Sequence, residues 1–247
     1  MSACTVVCLG DSITRGQISA NFVDLLDSRL GAPPDSEFCF VNAGINGDLA
    51  YNVRLRLDRI IALQPLCVIL MIGTNDVVAT LRRSNLWISR ISKWLPHNPT
   101  LPWYRQNLEE IVRRLKAETS ARIALASPPI IGEHLESAPN QKLRSYIAII
   151  QEIAARDGLA YLPVYERFAE YLKSTGQHAG KPHHSRLFMT AELTVRHLFF
   201  KESYVAISRR EGFILMTDGL HLNEKGAELV AGVYKDFLCK SGLESGG

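Results

Sequence analysis

The amino-acid sequence predicts an α/β protein in which helices cover both faces of a parallel β-sheet, and three observations lead to this class. Short apolar segments alternate with amphipathic helical segments along almost the whole chain, a rhythm that is typical of consecutive β–α units. The apolar segments are continuous rather than alternating, as expected for strands that are buried on both faces. A polar segment that contains glycine follows each of the first three apolar segments. If these apolar segments are parallel strands, the polar segments lie together at one edge of the sheet.

Five apolar runs are the candidate strands. They span residues 5–9, 38–41, 67–72, 122–126 and 159–162. The helical patterns cover residues 18–30, 50–63, 104–118, 141–156 and, after the good N-cap residue Asn223, about 224–238. With right-handed crossovers between parallel strands, these elements predict a doubly wound, flavodoxin-like three-layer sandwich around a five-stranded sheet.

The composition excludes several classes of protein. The chain has 247 residues, of which 47% are hydrophobic and 21% charged, and this is ordinary for a globular protein rather than a disordered or collagen-like one. The 28 basic and 25 acidic residues leave a net charge of +3, too small to indicate nucleic-acid binding. The β–α rhythm is interrupted only at residues 77–103 and 173–212. We therefore expect one domain over residues 1–247 with two insertions.

The sequence also predicts the cellular compartment of the protein. The N-terminus lacks the basic and long apolar segments of a secretory signal. The longest apolar run, residues 66–72, is far shorter than the roughly 20 residues that a membrane-spanning helix needs. We expect a cytoplasmic protein whose cysteines are free, buried thiols. These cysteines are Cys4, Cys8, Cys39, Cys67 and Cys239.

The first segment that could carry chemistry is residues 10–16, which follow the first strand and precede a helix. Gly10 permits a sharp turn, and Ser12 would lie at the start of the helix, where backbone N–H groups are free to bind an anion. A serine in this place has an exposed hydroxyl oxygen and a donor for a developing oxyanion. The alternative is that Ser12 is simply the N-cap of the helix.

A second segment, residues 217–223, lies before the last helix. Asp218 and His221 are three residues apart, so the carboxylate can orient the imidazole while the ring faces a partner. A serine hydroxyl needs such a base to act as a nucleophile. The alternative is an ordinary loop aspartate beside a surface histidine.

Two further segments follow the second and third strands. In residues 42–48, Gly47 can present its N–H to a carbonyl oxygen without a side chain in the way, and in residues 73–76, Asn75 can offer an amide donor to the same oxygen. Taken singly, both are common turn sequences. Together with Ser12, His221 and Asp218, they place a nucleophile, a base and oxyanion donors at one edge of the predicted sheet.

With these four segments, the sequence resembles the SGNH hydrolase family, the GDSL esterases and lipases. The family's blocks correspond to residues 10–16, 42–48, 73–76 and 218–221 in the family's order. Ile13 stands where the name-giving leucine occurs, and Leu222 stands where many members have proline; neither change affects the assignment of the site.

The resemblance implies a role for each matching residue. Ser12 is expected to be the nucleophile, His221 the general base and acid, and Asp218 its orienting partner. The backbone N–H groups of Ser12 and Gly47 and the Asn75 side chain are expected to form an oxyanion hole. The implied activity is that of a serine esterase or acylhydrolase that cleaves carboxylic esters without a metal or organic cofactor.

Other functions are possible for the same residues. An acyltransferase would use the same three side chains, and a ligand-binding module could retain the fold without catalysis. A nucleotide site is disfavoured because residues 44–47 lack the G-x-G-x-x-G spacing. A metal site at His178, His183 and His184 is disfavoured because no carboxylate has matching spacing. The expected partner is therefore a small-molecule, lipid or glycan ester.

The first insertion, residues 77–103, is basic throughout and contains all three tryptophans. Its apolar residues share one face of a predicted helix. They are Trp87, Ile88, Ile91, Trp94 and Leu95. The simpler interpretation is a helix packed on the body of the protein. The alternative is a flap beside Asn75 that shapes an acyl or glycosyl pocket or touches an anionic interface.

Overall fold

The computed structural model describes residues 4–31, 38–175, 208–209 and 212–240. Five strands form one sheet. They are β1 (Cys4–Gly10), β2 (Phe38–Gly44), β3 (Cys67–Met71), β4 (Arg122–Ala126) and β5 (Ala160–Leu162). All neighbouring strands are parallel, in the order β2-β1-β3-β4-β5. This is the flavodoxin-like order, so the predicted fold class is confirmed.

The strand order reverses between β1 and β3, and such a switch point is where ligands bind in open α/β sheets. Gly10 at the end of β1 is in register with Gly44 of β2 on one side and with Met71 of β3 on the other. The segments that follow these three strands therefore leave the sheet at the same level. This register brings the first three candidate segments together.

Helices connect the strands and cover both faces of the sheet. They are α1 (Ser12–Arg15), α2 (Phe22–Leu30), α3 (Ala50–Leu55), α4 (Leu57–Ile61), α5 (Thr74–Ala79), α6 (Arg83–Ser92), α7 (Leu101–Glu118), α8 (Ala138–Asp157), α9 (Val164–Ser174) and α10 (Glu224–Lys240). None of the described helices is long and apolar enough to cross a membrane.

Local capping residues explain several of the helix starts. Asn21 caps α2 by accepting the N–H groups of Val23 and Asp24, so this helix begins later than the apolar periodicity indicates. Thr100 caps α7 by accepting the Trp103 N–H, so this helix begins at Leu101, three residues before the predicted start. The helix predicted over residues 50–63 is instead divided at Arg56, whose side chain bonds to two carbonyl oxygens of neighbouring strands.

The core lies on both sides of the sheet, where β3 is buried along its whole length. Four cysteines lie in the strands as predicted, but the expectation that all five are buried is wrong. Cys8 and Cys67 are buried, whereas Cys39 and Cys239 are exposed. Cys39 lies on β2, the edge strand of the described sheet, and Cys239 lies in the last turn of α10.

Part of the apolar face of the first insertion is turned away from the body of the protein. Trp87 is 68% exposed and Ile91 is 56% exposed, whereas Ile88 is half-buried and Leu95 is buried, so the simpler interpretation of a packed helix holds for only part of the predicted face. Helix α6 also turns Asn85 inward, with its amide bonded to the Val78 carbonyl oxygen. The helix also ends at Ser92, so Trp94 lies beyond its end and is not part of the predicted helical face.

The end of α6 has an unusual backbone. Trp94 has φ of +51°, and the N–H of Leu95 bonds to the Arg90 carbonyl oxygen at 3.0 Å. This is the Schellman arrangement, in which glycine is the usual residue at the left-handed position. A bulky residue there costs roughly 1–2 kcal/mol. Leu95 is buried beneath the turn, and Trp94 is left 89% exposed.

Candidate active site

Ser12 is the first residue of α1, directly after the turn that ends β1. Asp11, rather than Ser12, caps this helix, because its carboxylate accepts the Ile13 N–H at 3.0 Å. The interpretation of Ser12 as a simple N-cap is therefore wrong, and its hydroxyl is free for another partner. Gly10 is required for the turn, since a Cβ there would lie 2.6 Å from the Met71 carbonyl oxygen.

The hydroxyl of Ser12 bonds to His221, 209 residues further along the chain. Its Oγ lies 3.0 Å from His221 Nε2, and Nδ1 on the other side of the ring lies 2.7 Å from Asp218 Oδ2. The second carboxylate oxygen of Asp218 accepts the N–H groups of Leu220 and His221. With Nδ1–H donating to Asp218, Nε2 is left as the acceptor for the serine hydroxyl. The three side chains form one chain of hydrogen bonds.

The electrostatics of the pair suit a histidine that accepts a proton. Burial of Asp218 disfavours its charge, but the adjacent His221 and the hydrogen bonds to the carboxylate outweigh this effect and lower the pKa of Asp218 to about 2. Burial disfavours the charge of His221 as well, yet Asp218 outweighs it and raises the pKa of His221 above its ordinary value. The pair is thus built to stabilise an imidazolium ion.

The turn that carries Asp218 and His221 is closed by backbone contacts. Met216 and Leu222 form an antiparallel bridge, and Thr217 N donates to the His221 carbonyl oxygen at 2.8 Å. Gly219 has φ of +83°, a conformation that favours glycine. These contacts fix the orientation of the imidazole relative to Ser12.

Glu133 anchors this turn, and the sequence interpretation did not identify it. It is buried, and its carboxylate accepts the N–H groups of Ile214, Leu215 and Met216 at distances from 2.6 to 3.0 Å. Burial raises its pKa despite these hydrogen bonds. A single acidic residue in the apolar stretch 128–135 was the available signal, but its partners are 80 residues away in sequence.

The three predicted oxyanion donors lie on loops that contact one another. Among the described residues, the N–H groups of Ser12 and Gly47 have no hydrogen-bond partner. The Asn75 amide nitrogen lies 3.1 Å from the Asp48 carbonyl oxygen and 3.3 Å from Asp11 Oδ2. Asn75 therefore contacts the residue after Gly47 and the residue before Ser12, and these contacts link the segments that carry the three predicted donors.

An ion-pair network holds the Gly47 loop. Asp48 is buried and pairs with Arg56 at 2.8 Å and with Lys93 at 3.0 Å. Lys93 also donates to the Asn46 carbonyl oxygen. Gly47 has φ of +74°, and a Cβ there would lie 2.8 Å from Lys93 Cε. The residue that follows α6 is thus packed directly against this loop.

Two more buried carboxyl groups, those of Asp11 and Asp76, are adjacent in sequence to Ser12 and Asn75. Burial raises the pKa of Asp11 to about 6 and the pKa of Asp76 to about 7. Asp76 accepts the Ala50 N–H and so joins the start of α5 to the start of α3. The two carboxyl groups also repel each other when both are charged.

No group of three or more histidine, cysteine, aspartate or glutamate side chains in the described part of the chain could hold a metal ion. His178, His183 and His184, considered above as metal ligands, lie outside the described residues, as does most of the second insertion.

A parallel sheet with a serine, a histidine and an aspartate bonded in series at its carboxyl edge is typical of serine-dependent α/β hydrolases. The family model described as the GDSL-like lipase/acylhydrolase family matches residues 8–229, and the chain belongs to this family. It is a hydrolase that acts on ester bonds.

Solved structures support the same fold. Axe2, an acetylxylan esterase from Geobacillus stearothermophilus, has a TM-score of 0.68 at 20% identity over 95% of this chain and 94% of its own. LAE5, an α/β hydrolase from the metagenome of Lake Arreo, Spain, has a TM-score of 0.65 at 22% identity over 99% and 98%. The acetyl xylan esterase AlAXEase has a TM-score of 0.68 at 19% identity over 94% and 98%. No curated protein matches the sequence.

Proposed function

We propose that this serine esterase cleaves carboxylic esters through an acyl-enzyme on Ser12. The observation that carries the proposal is the continuous hydrogen-bonded chain from Ser12 Oγ through His221 to Asp218. A serine hydroxyl is a weak nucleophile unless a base takes its proton as it attacks. His221 Nε2 lies at the distance that this transfer requires.

In the first half of the reaction, Ser12 Oγ bonds to the ester carbonyl carbon while its proton moves to His221 Nε2. The carbonyl oxygen becomes negatively charged, and the tetrahedral intermediate then collapses. The bond to the alcohol oxygen breaks, and the leaving alcohol takes the proton from His221. Asp218 stabilises the imidazolium ion throughout and stays ionised.

In the second half, water attacks the acyl-enzyme by the same route. His221 takes a proton from the water as its oxygen bonds to the acyl carbon, and returns a proton to Ser12 Oγ as the carboxylic acid leaves. The histidine is therefore neutral at the start of each half and charged in the middle of it. No other proton carrier is needed.

The negative oxygen would be bound by the N–H groups of Ser12 and Gly47 and by the Asn75 amide. The two backbone donors have no other partner among the residues described, so they are available without rearrangement. The amide of Asn75 would give up its longer contact, that with Asp11, to reach the oxyanion. Its contact with Asp48 would keep it oriented.

The first test is hydrolysis of p-nitrophenyl acetate by the Ser12→Ala variant. We expect turnover to fall by at least about 10⁴-fold, while circular dichroism stays that of the unchanged protein. A matched control is Ser174→Ala, which removes an exposed hydroxyl at the end of α9 and should leave turnover unchanged. Equal rates for Ser12→Ala and the unchanged protein would refute the mechanism.

We also propose a single domain over residues 1–247 and a cytoplasmic location. The proposed catalytic residues extend from Ser12 to His221, and both ends of this range meet at one sheet edge. All five cysteines are free thiols, which suits a reducing compartment. A single cooperative unfolding transition and fractionation of the native host cells would test the two proposals.

A further inference from the structure

The outward face of α6 combines exposed apolar residues with exposed arginines. Positions 83, 87, 90 and 91 share one side of the helix. Trp87 and Ile91 are exposed there, and Arg83 and Arg90 are exposed beside them. We call this face, together with Trp94, the α6 surface. Trp94 and Trp87 have the two largest exposed fractions among the exposed large hydrophobic residues of the described chain.

The charge of this segment is of one sign. Residues 77–103 contain four basic residues and no acidic residue, so the segment carries +4 while the whole chain carries only +3. Within the described ranges, neither Arg83 nor Arg90 forms an ion pair with a carboxylate. The charge of the α6 surface is therefore available to an external anion.

The exposure of Trp94 is built into the backbone. Its left-handed conformation ends the helix and turns Leu95 into the core, while Trp94 faces solvent. Burial of Leu95 stabilises the turn, but the turn would form with less strain around glycine than around tryptophan. A tryptophan at such an exposed position suits contact with a partner.

We propose that the α6 surface docks on an anionic phospholipid bilayer. A tryptophan and an isoleucine on one helix face, a second exposed tryptophan just after the helix and arginines at the border are the composition of a segment that lies in the lipid interface. Arginines bind the phosphate layer, and indole rings insert at the level of the headgroups. A neutral polysaccharide would use the indole rings but would leave the excess positive charge without a partner.

The position of this surface connects docking to the site. Lys93 follows α6 and contacts both Asn46 and Asp48, on either side of Gly47. A bilayer on the α6 surface would therefore lie beside the loop that carries one proposed oxyanion donor. In this arrangement, esters in the bilayer would be presented to the proposed active site. That consequence rests on the proposed function, whereas binding to the bilayer does not.

The experiment is co-sedimentation of the full chain with vesicles, with tryptophan fluorescence recorded in parallel. One vesicle population is phosphatidylcholine alone, and the other contains phosphatidylglycerol in equal parts with it. We expect binding and a blue-shifted emission with the anionic vesicles only. Binding should be lost at about 1 M salt, where electrostatic interactions are screened beyond about 3 Å.

Variants locate the surface. Arg83→Gln with Arg90→Gln should weaken binding about 25-fold, since each basic residue near an anionic surface contributes about fivefold. Trp87→Ala with Trp94→Ala should weaken it at least about tenfold and remove the blue shift. Leu63→Ala with Arg59→Gln is the matched control. Leu63 is also exposed, but it precedes β3 and so lies at the amino edge of the sheet, opposite the carboxyl edge that carries the proposed site.

Each other outcome overturns the proposal. No binding to anionic vesicles, or equal binding to both vesicle types, would exclude docking on an anionic bilayer. A dimer that dissociates in Trp87→Ala with Trp94→Ala would assign the surface to a second copy. Quenching of both tryptophans by acetylated xylo-oligosaccharides, without vesicle binding, would assign it to a glycan. Ser12→Ala should bind vesicles as the unchanged protein does, so failure of docking and failure of the proposed catalysis are distinguished.

Discussion

The Asn75 amide nitrogen lies 3.3 Å from Asp11 Oδ2, so the segment that follows β3 contacts the residue that precedes Ser12. The same nitrogen lies 3.1 Å from the carbonyl oxygen of Asp48, the residue that follows Gly47. One side chain thus links the three loops that carry the proposed oxyanion donors. These contacts orient the amide before substrate arrives, so donation to the oxyanion requires only that the longer contact with Asp11 be exchanged.

Asn75→Ala should therefore lower kcat for p-nitrophenyl acetate by about 100- to 1,000-fold. KM should change little, because the donor acts mainly on the charge of the transition state. Steady-state kinetics measure both values, and Asn98→Ala, at an exposed position after α6, is the control. An increase in KM with kcat unchanged would place Asn75 in ground-state binding instead.

The pH dependence of the reaction follows from His221. The imidazole must be neutral to take the proton of Ser12, so activity falls as the pH drops through its pKa. Because Asp218 raises this pKa, the acid limb of kcat/KM should have its midpoint above 6.5, the ordinary value for histidine. A midpoint below that value would mean that burial, rather than Asp218, controls the histidine.

Asp218→Asn should remove the charge that raises the pKa of His221 and should disturb the orientation of the ring. We expect kcat to fall by about 10⁴-fold and the acid limb to move to lower pH. The exposed Asp236→Asn serves as the control. An unchanged acid limb in the Asp218 variant would show that another group is being titrated.

Glu133 is expected to act through the turn that it anchors. Glu133→Ala leaves the buried N–H groups of Ile214, Leu215 and Met216 without their acceptor, which should lower the free energy of unfolding by about 2–4 kcal/mol. Glu133→Gln keeps one acceptor oxygen and should restore part of this stability and of kcat. Urea unfolding and kinetics test both variants, with the exposed Glu136→Gln as control. Normal stability of Glu133→Ala would contradict the anchoring role.

Stability should decrease as the pH rises from about 5 to 8. In the native protein the pKa of Asp11 is raised to about 6 and that of Asp76 to about 7, whereas both groups lose their protons near 3.8 when unfolded. The native state binds more protons in this range, so raising the pH favours unfolding. The raised pKa of His221 adds stability that is present below 6.5 and lost above it, which has the same sign.

Differential scanning calorimetry measures this effect. We expect the Tm to fall by several degrees between pH 5 and 8, and Asp76→Asn, which keeps an acceptor for the Ala50 N–H, to reduce that fall. The lowered pKa of Asp218 acts only below about pH 4 and does not enter this range. A Tm that rises with pH would contradict the assigned protonation of the two carboxyl groups.

Much of the fold and the proposed site could be predicted from sequence because they depend on local patterns. Continuous apolar runs locate the strands, and parallel strands end at one edge, so Ser12, Gly47 and Asn75 were expected to meet there. The Asp218–His221 spacing is also local. Each of these features can be read within a few residues of its own strand or turn.

The remaining features depend on contacts between distant segments. Glu133 bonds to residues about 80 positions away, and Lys93 reaches the Gly47 loop from the insertion. Helical periodicity groups Trp87 with Ile91 but does not say whether their face points inward or outward. The predicted helix over residues 50–63 is divided at Arg56, whose side chain bonds to carbonyl oxygens on β1 and β2. Helical periodicity carries no information about contacts with such distant strands.

The central claim is that Ser12 is the nucleophile, and covalent labelling tests it most directly. The purified protein is treated with a fluorophosphonate probe, and the modified residue is located by peptide mass spectrometry while activity is followed. We expect one probe per chain, attached to Ser12, with activity lost in proportion to labelling and no labelling of Ser12→Ala. Attachment to another residue, or full activity in the labelled protein, would contradict the account.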